Sequence, residues 1–272
     1  MMEILLFTTL GLILGSFLNV VILRIPKDES IIFTSSHCTH CKTPLKPWHN
    51  IPLLSWIFLR GKCSFCHKKI SIQYPLIELL SMLIFFLLAN QFAIEISTLF
   101  VGLSFLMLLA LAMIDFKYMM IPDSLNLLAI LFAVLAASNI QGIFLNFQNA
   151  LLFAGGFTLL RFTLSYFLTS SAHSLSKKTQ TSWTKNYHTY PFIEAMGEGD
   201  IMVAATMGAL LGIELTLVAI FLSALLALPV MLALKNKSSQ ELRVPFVPFL
   251  AFATFIVYIN DTAVLMYIEA NY

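Results

Sequence analysis

The amino-acid sequence predicts an all-α integral membrane protein with about eight transmembrane helices. Of its 272 residues, 59% are hydrophobic and only 11% are charged, whereas a soluble domain averages about 25% charged residues. The mean hydropathy is +0.87. The hydrophobic runs are long and nearly free of charge, which favours helices over the alternating strands of a membrane barrel.

Eight stretches approach the roughly 20 apolar residues that a bilayer-spanning helix needs. They are residues 4–23, 72–88, 94–114, 121–137, 150–168, 201–211, 215–234 and 246–267. The second, fourth and sixth stretches are short or interrupted, and we expect the sixth to begin a few residues before Ile201. A Ser/Thr/Lys-rich stretch at 169–184 is typical of a flexible loop.

The placement of basic residues supports this count and sets an orientation. Of the 16 Lys and Arg residues, all but Arg161 lie in or at the edge of the first, third, fifth and seventh connections. The other connections, at 89–93, 138–149 and 212–214, contain neither residue type. The positive-inside rule then places the basic connections in the cytoplasm and both termini outside. The predicted organisation is a first transmembrane helix at 1–25, a cytoplasmic loop at 26–71 and a transmembrane bundle at 72–272.

The composition also excludes several classes of protein. A net charge of +2 is too small for a nucleic-acid binder that depends on bulk charge. The first three residues lack the basic segment of a secretory signal peptide, so we expect the first helix to be retained. Membrane lipid is therefore an expected partner, and nucleic acid is not.

All four cysteines lie in the first cytoplasmic loop. Cys38 and Cys41 form one CxxC pair, Cys63 and Cys66 form a second, and 21 residues separate the pairs. This spacing is typical of a zinc ribbon, in which four thiolates bind one structural ion tetrahedrally. A redox motif or chance spacing is the alternative, but a reducing cytoplasm argues against disulfides. We therefore predict a zinc-ribbon-like loop.

Two aspartates lie at the cytoplasmic ends of predicted spans. Asp115 ends the third span, and Asp200 opens the sixth within the sequence GEGD at 197–200. Either could be an ordinary helix-boundary residue, since Asp is a good N-cap. Two acids on one side of the membrane favour a functional reading. A pair of carboxyl groups that shares one proton can hydrolyse a peptide bond, because one member activates water and the other polarises the carbonyl.

Other polar residues within the spans have two readings. Glu78 lies inside the second span, where it makes either a helix–helix contact or a contact to a substrate amine or cofactor. Gly11 and Gly15 form a small-residue face that favours close helix packing. Arg161 is expected to pair with an acid or to extend towards the interface, and Asp123 to cap the fourth span.

Several motifs, in order along nearly the whole chain, resemble the type IV prepilin leader peptidases, which are membrane aspartyl proteases of the GxGD type. They are GSFLNVVILRIP at 15–26, the two CxxC pairs, NIPLLSW at 50–56, RGKC at 60–63, YPLIELL at 74–80, Asp115 with IPD at 121–123, GEGD at 197–200 and PFVPF at 245–249.

This resemblance implies a bifunctional enzyme of the bacterial inner membrane. Its catalytic residues would be Asp115 and Asp200, and its substrates would be prepilins and pseudopilins of type IV pili or type II secretion. Such an enzyme cleaves the leader after a Gly at the cytoplasmic face and then methylates the new N-terminal residue, commonly Phe, with S-adenosylmethionine. This chain departs from the family pattern in having Met202 where Lys is common and Val247 where Gly is common.

A proton- or ion-coupled transporter with a structural zinc loop is the alternative function, and a scaffold without chemistry is a third. Transporter acids usually lie near the bilayer midplane, often within an inverted repeat, whereas the two aspartates lie at one surface and no repeat is visible. The chain also has no glycine-rich nucleotide-binding fingerprint, so the residues that would bind S-adenosylmethionine are not identified.

Overall fold

The computed structural model describes residues 1–33, 35–136, 142–179, 196–235 and 244–271, and within these ranges the regular elements are helices. The α-helices are α1 (Met2–Arg24), α2 (Leu54–Phe58), α3 (Gln73–Gln91), α4 (Ile96–Tyr118), α5 (Asp123–Leu135), α6 (Ile143–Thr179), α7 (Glu198–Lys235), α8 (Val247–Ile259) and α9 (Asp261–Asn271). We call residues 26–71, between α1 and α3, the cysteine loop.

Helices α1 and α3 pack closely because α1 presents glycines to α3, as the sequence predicts. A Cβ atom on Gly11 would lie 2.6 Å from Cβ of Phe85, and one on Gly15 would lie 2.7 Å from Cβ of Ser81. Phe85 is fully buried and also contacts Gly102 of α4. One large side chain therefore fills the space between three helices that glycines allow to approach.

Helix α4 lies at the centre of the bundle. It packs against α1, α3, α5 and α8, and its buried residues include Leu108, Leu111 and Ile114. Helix α7 packs against α5, α6 and α8 on the other side. The last turn of α4 therefore lies where several helices end, which positions a side chain at 115 in the interior.

Within the described residues, five segments are long and apolar enough to cross a membrane, and a sixth results if α8 and α9 form one bent span. The five are Met2–Lys27, Gln73–Gln91, Ile96–Tyr118, Ile143–Ser171 and Glu198–Ala233. Helix α5, which corresponds to the predicted fourth span, is a shorter apolar helix of 13 residues.

Helix α7 is broken at Gly212, whose φ of 75° and ψ of −171° are not helical. The Thr216 hydroxyl donates to the Met207 carbonyl oxygen at 3.2 Å, although nine residues of straight helix span roughly 13 Å. The chain therefore bends sharply at Gly212. The segments on either side, 198–211 and 213–235, coincide with the predicted sixth and seventh spans, and the sixth does begin before Ile201. Eight crossings stay a prediction, since helix length and composition identify five or six spans in the part of the chain that the structure describes.

Two expectations need correction. The predicted flexible loop at 169–184 is helical as far as Thr179, where α6 ends, because residues 169–179 contain no Gly or Pro to stop the helix; residues 180–184 lie outside the described ranges. The predicted eighth span at 246–267 is bent by 79° between α8 and α9. The bend falls at Asn260, and the carboxylate of Asp261 accepts a hydrogen bond from Thr262 N–H at 2.6 Å, within the first turn of the new helix.

Candidate active site and metal centre

Asp115 and Asp200 come together from two helices that run in opposite directions. Asp115 lies in the last turn of α4 and is buried, and Asp200 lies in the first turn of α7 and is partly buried. Their carboxyl groups are close enough for their charges to interact. An Oδ2 atom of Asp115 accepts a hydrogen bond from Val247 N–H at 3.1 Å, and the Gly197 N–H donates to Asp200. Two carboxyl groups that share one buried site can hold a single proton between them.

The two glycines of the GEGD sequence have different surroundings. A Cβ atom on Gly199 would lie only 2.5 Å from Cδ1 of Ile121, in the connection between α4 and α5. The Gly199 carbonyl oxygen also accepts a hydrogen bond from Asn126 of α5 at 3.4 Å. A Cβ atom on Gly197 would be 3.5 Å from the Asp200 carboxylate. Gly199 thus permits the close approach of α7 to the end of α4, and this approach brings Asp200 towards Asp115.

Along the bundle axis, the apolar surface of α6 extends beyond the two aspartates. Arg161 of α6 forms an ion pair with Glu198 at 3.0 Å, which places it level with the start of α7 and confirms the predicted pairing with an acid. Past Arg161, α6 continues with exposed apolar side chains to Leu168, a rise of roughly 10 Å. Helix α5 and segment 198–211 each span only about 20 Å, against about 30 Å for a bilayer core. The start of α7, where Asp200 lies, is therefore roughly 10 Å short of the end of the apolar surface of α6, and we describe the aspartates as recessed in this sense.

The other acid near this end is not part of the pair. Asp123 is exposed and occupies the first turn of α5, whereas Pro122 is the N-cap residue. The prediction that Asp123 caps this helix is therefore wrong by one position. Asp200 likewise lies within the first turn of α7, which begins at Glu198, so its side chain is available for a role other than capping.

The cysteine loop folds into two matching turns that we call the knuckles, at residues 37–44 and 62–69. In each, the residue four positions after the first cysteine donates its N–H to that cysteine's carbonyl oxygen: Lys42 to Cys38 at 2.9 Å and His67 to Cys63 at 3.0 Å. These two donors have positive φ values of 59° and 55°. Isolated β-bridges close the knuckles, and no named strand is present in the described part of the loop.

The knuckles bring four thiols together. The Sγ atoms of the four cysteines lie within 4.8 Å of one another, and Sγ of Cys38 is 3.9 Å from Sγ of Cys66. All four are free thiols. Hydrogen bonds from Thr43 lower the pKa of Cys41 to about 6. A backbone hydrogen bond from Lys68 acts to lower the pKa of Cys66, but burial and the neighbouring thiols raise it to about 11. Thiols this close do not all ionise together unless a cation neutralises them, so the cluster could bind a metal.

A carboxylate separate from the aspartate pair lies between α1 and α3. Glu78 is buried, its Oε2 atom accepts a hydrogen bond from Leu53 N–H at 2.7 Å, and the side chain of Ser16 lies beside its carboxylate. Leu53 has a φ of 59° and a ψ of −51°, which are rare values for a residue with a side chain. The Lys117 ammonium reaches the Gln73 side chain at 3.4 Å. The start of α3 and the end of α4 therefore lie at one end of the bundle, together with the cysteine loop and the aspartate pair.

Comparison with known proteins identifies the relatives of this chain. The family model described as the bacterial peptidase A24 N-terminal domain matches residues 9–92, and the model described as the type IV leader peptidase family matches residues 102–232. A protein from Neisseria gonorrhoeae named prepilin leader peptidase/N-methyltransferase is 33% identical over 280 residues, which cover 94% of this chain and 90% of the relative. The chain belongs to the type IV leader peptidase family. A protein of the same name from Aeromonas hydrophila is 31% identical, with 96% and 92% coverage. No solved structure matches the chain.

The two family models cover different helices of this leader peptidase and different groups of its candidate functional residues. The N-terminal model covers most of α1, the cysteine loop and α3, and therefore the four cysteines and Glu78. The second model covers the remainder of α4 from Gly102 onwards, together with α5, α6 and nearly all of α7, and therefore both aspartates.

Sequence reasoning missed two backbone groups that position the carboxylates. The Val247 N–H bonds to Asp115, and the Leu53 N–H bonds to Glu78. Val247 lies in PFVPF and Leu53 in NIPLLSW, two of the motifs that resemble those of the leader peptidases. The motifs themselves are visible in the sequence, but a backbone N–H group, which every residue except proline has, gives no signal of its own.

Proposed function

We propose that this chain is a membrane-embedded prepilin leader peptidase and N-methyltransferase. Its substrates are prepilins and pseudopilins, which it cleaves after a Gly at the end of the leader. The observation that carries the peptidase assignment is the meeting of Asp115 and Asp200 at one end of the bundle in a member of this family.

In the proposed cleavage mechanism, the aspartates share one proton and hold a water molecule between them. The ionised member takes a proton from the water as it attacks the carbonyl carbon of the scissile bond, and the protonated member donates to the carbonyl oxygen. When the tetrahedral intermediate collapses, the C–N bond breaks: the carboxyl that took the water proton gives it to the departing amine, and the other carboxylate takes back the proton of the former carbonyl oxygen. The hydrogen bond from Val247 N–H fixes the Asp115 carboxylate, so its orientation does not depend on the substrate. Neither a serine nor a metal takes part in this step.

The recessed position of the aspartates suits such a substrate. A prepilin leader is short and basic and precedes an apolar helix, so the apolar part can remain in the bilayer while the leader stays in the aqueous phase. Because α5 and segment 198–211 are short, the extended peptide that joins the leader to the apolar part would meet the aspartates at this level. We propose that this end of the bundle faces the cytoplasm of the inner membrane, because the basic connections lie there, and that the chain crosses the bilayer eight times.

The four-thiol cluster fits a structural zinc ion. Tetrahedral coordination with Zn–S distances of about 2.3 Å requires sulfur atoms roughly 3.8 Å apart, and the Cys38–Cys66 separation is 3.9 Å. The N–H groups of His40 and Phe65 point at Sγ of Cys38 and Cys63, at 3.4 and 3.5 Å, as is usual around thiolate ligands. Cys38, Cys41, Cys63 and Cys66 would hold the ion, whose role would be to join the two knuckles.

S-adenosylmethionine is the proposed methyl donor, and it would supply an electrophilic methyl group. What the chain must do for that reaction is bind the new N-terminal amine and orient it. The transporter alternative is no longer favoured, because the acids it invoked lie at one end of a leader peptidase fold.

The test is a cleavage assay with the purified protein and a prepilin, read as the mass of the product. Release of the leader at its Gly, together with its loss in Asp115→Asn, is the expected result. A protein that binds prepilin but leaves it intact would contradict the peptidase assignment.

A further inference from the structure

A cluster of polar groups lies between α1 and α3, separate from the aspartate pair. It consists of Ser16 and Asn19 on α1 with Glu78 and Ser81 on α3, and Asn19, Glu78 and Ser81 are buried. The amide nitrogen of Asn19 donates to the Tyr74 carbonyl oxygen at 3.1 Å. Placing a carboxylate inside a pair of apolar helices is costly, so this cluster requires an explanation beyond packing.

The cluster has more hydrogen-bond acceptors than the neighbouring protein groups satisfy. Within the described residues no Lys or Arg forms an ion pair with Glu78, and Arg24, at the end of α1, donates to the carbonyl oxygens of Ser30 and Ser35. The Oδ1 atom of Asn19 and the hydroxyl of Ser81 are buried without a hydrogen-bond partner among those residues. Buried acceptors that lack partners are uncommon in folded proteins. A cation with several N–H groups is the ligand that would satisfy this set.

An apolar groove ends beside the cluster. Its volume is about 620 Å³, and it is lined by Thr9, Leu12 and Ile13 of α1 and by residues 50–54 of the cysteine loop. Ser16 is the next residue on the same stripe of α1, and its side chain lies beside Glu78. Leu53 is common to both features, since it lines the groove and its N–H holds Glu78.

From this arrangement we propose that Glu78 and Asn19 bind the α-ammonium group at the N-terminus of the cleaved pilin, with its first apolar residues in the groove. An ammonium group has three N–H donors and a positive charge, which match a buried carboxylate and an unpaired amide oxygen. The groove lining matches an apolar peptide.

This proposal rests on the proposed function and adds that cleavage must precede binding of the amine for methylation. In an uncleaved prepilin the same nitrogen belongs to a neutral peptide bond with one N–H, which cannot neutralise a buried carboxylate. The site therefore accepts only the product of cleavage. Glu78 selects the molecule that is to be methylated, and it does so by binding, before any methyl transfer.

The experiment measures peptide binding in the absence of a methyl donor. The probe is a Phe-starting apolar peptide with a fluorophore at its C-terminus, prepared with a free or an acetylated N-terminus. The protein is the full chain in nanodiscs without phosphatidylethanolamine. We expect the free-amine peptide to bind at least about tenfold more tightly than the acetylated one, because only the former pairs with the buried charge. Equal binding of the two peptides would overturn the proposal.

Substitutions locate the binding to this site. Glu78→Gln keeps the size of the side chain and an acceptor for Leu53 N–H, and we expect it to abolish the preference for the free amine. Glu3→Gln, at the far end of α1, is the matched control. Ile13→Trp fills the groove at an exposed position without touching the cluster, and we expect it to weaken the binding of both peptides. A free-amine preference that survives in Glu78→Gln, or unchanged binding in Ile13→Trp, would contradict the assignment.

A lipid amine is the competing occupant, and it is tested directly. In nanodiscs that contain phosphatidylethanolamine, the preference for the free-amine peptide should persist. Its loss there would show that the lipid headgroup is the ligand. Cleavage of intact prepilin by the wild type is measured in parallel; its absence would refute the proposed function, whereas a binding failure beside normal cleavage would refute only this inference.

Discussion

Backbone groups, rather than side chains, fix the two aspartates of this leader peptidase. Asp115 is held by Val247 N–H at the start of α8, and Asp200 by Gly197 N–H at the start of α7. A backbone donor cannot be removed by ordinary substitution. The orientation of the Asp115 carboxylate therefore depends on how α8 packs against α4, whereas that of Asp200 depends on the local turn at residues 197–200. The carboxylates themselves are therefore the points at which single substitutions are informative.

We expect Asp115→Asn and Asp200→Asn each to reduce cleavage at least about a hundredfold, because each removes either the general base or the shared proton. Both are isosteric and should leave membrane insertion intact. The measurement is the mass shift of purified prepilin over time. Asp123→Asn is the matched control, since Asp123 is exposed nearby and should keep most activity. Near-normal turnover in either of the first two variants would refute the pair.

The close contact between Gly199 and Ile121 can be tested by substitution. We expect Gly199→Ala to destabilise the protein by about 1–3 kcal/mol and to reduce cleavage, because the new Cβ atom would overlap the Ile121 side chain and force α7 away from α4. The measurement is the melting temperature together with the cleavage rate. The double variant Gly199→Ala/Ile121→Ala removes the overlap, so activity should partly return. No recovery in the double variant would show that Gly199 acts in another way.

The cysteines are predictable from sequence because the chemistry resides in their side chains, whose spacing is visible. The two aspartates were also visible, as acids at the ends of apolar segments. Leu53 and Val247 were not, because each contributes an N–H group that every residue except proline has. What selects them is a close approach between segments distant in sequence, and a single sequence does not report such an approach.

At the scale of elements, the two knuckles are equivalent. Each has the same hydrogen bonds and the same left-handed residue after its second cysteine, so loss of either should have the same effect. We expect Cys38→Ser and Cys63→Ser both to lose bound zinc and to destabilise the cysteine loop, because a four-thiolate site contributes folding energy. The measurement is metal content by mass spectrometry with protease sensitivity of the loop, and about one zinc per chain is expected in the wild type.

His40→Ala is the control for this experiment. Its backbone N–H reaches Cys38 Sγ, and this contact survives the substitution, so zinc content should not change. Loss of zinc in His40→Ala with retention in Cys63→Ser would indicate a different ligand set. A disulfide between Cys38 and Cys41 in protein kept reduced would also contradict the metal centre.

Hydropathy located the helices but not all of their ends. The break at Gly212 was visible, because the polar Glu214 and the glycine interrupt an apolar run. The bend between α8 and α9 was missed, because a window of about 20 residues averages over Asn260 and Asp261. The extension of α6 to Thr179 was missed because Ser, Thr and Lys suggested a loop, although none of them stops a helix as Gly or Pro does.

At the scale of the whole molecule, the two groups of functional residues lie on different helices. Helices α1 and α3 with the cysteine loop hold the thiols and Glu78, and α4, α5, α7 and α8 hold the aspartates and their supports. Both groups lie towards the same end of the bundle. This arrangement suits two successive reactions on one substrate, since a cleaved pilin needs only to move sideways between them.

The last prediction separates the two activities. Asp115→Asn should still methylate a pre-cleaved, Phe-starting pilin supplied in trans, because the cluster around Glu78 does not include Asp115. Gly61→Ala should impair methylation more than cleavage: Gly61 has a φ of 65°, and a Cβ atom there would lie 2.9 Å from the Trp56 ring. The resulting strain acts on α2 and on the loop residues that line the groove, and not on α4 or α7. The measurement is methyl incorporation from labelled S-adenosylmethionine beside the cleavage assay. Loss of both activities in a folded Asp115→Asn protein would instead indicate one shared site, in which the aspartates also position the new amine.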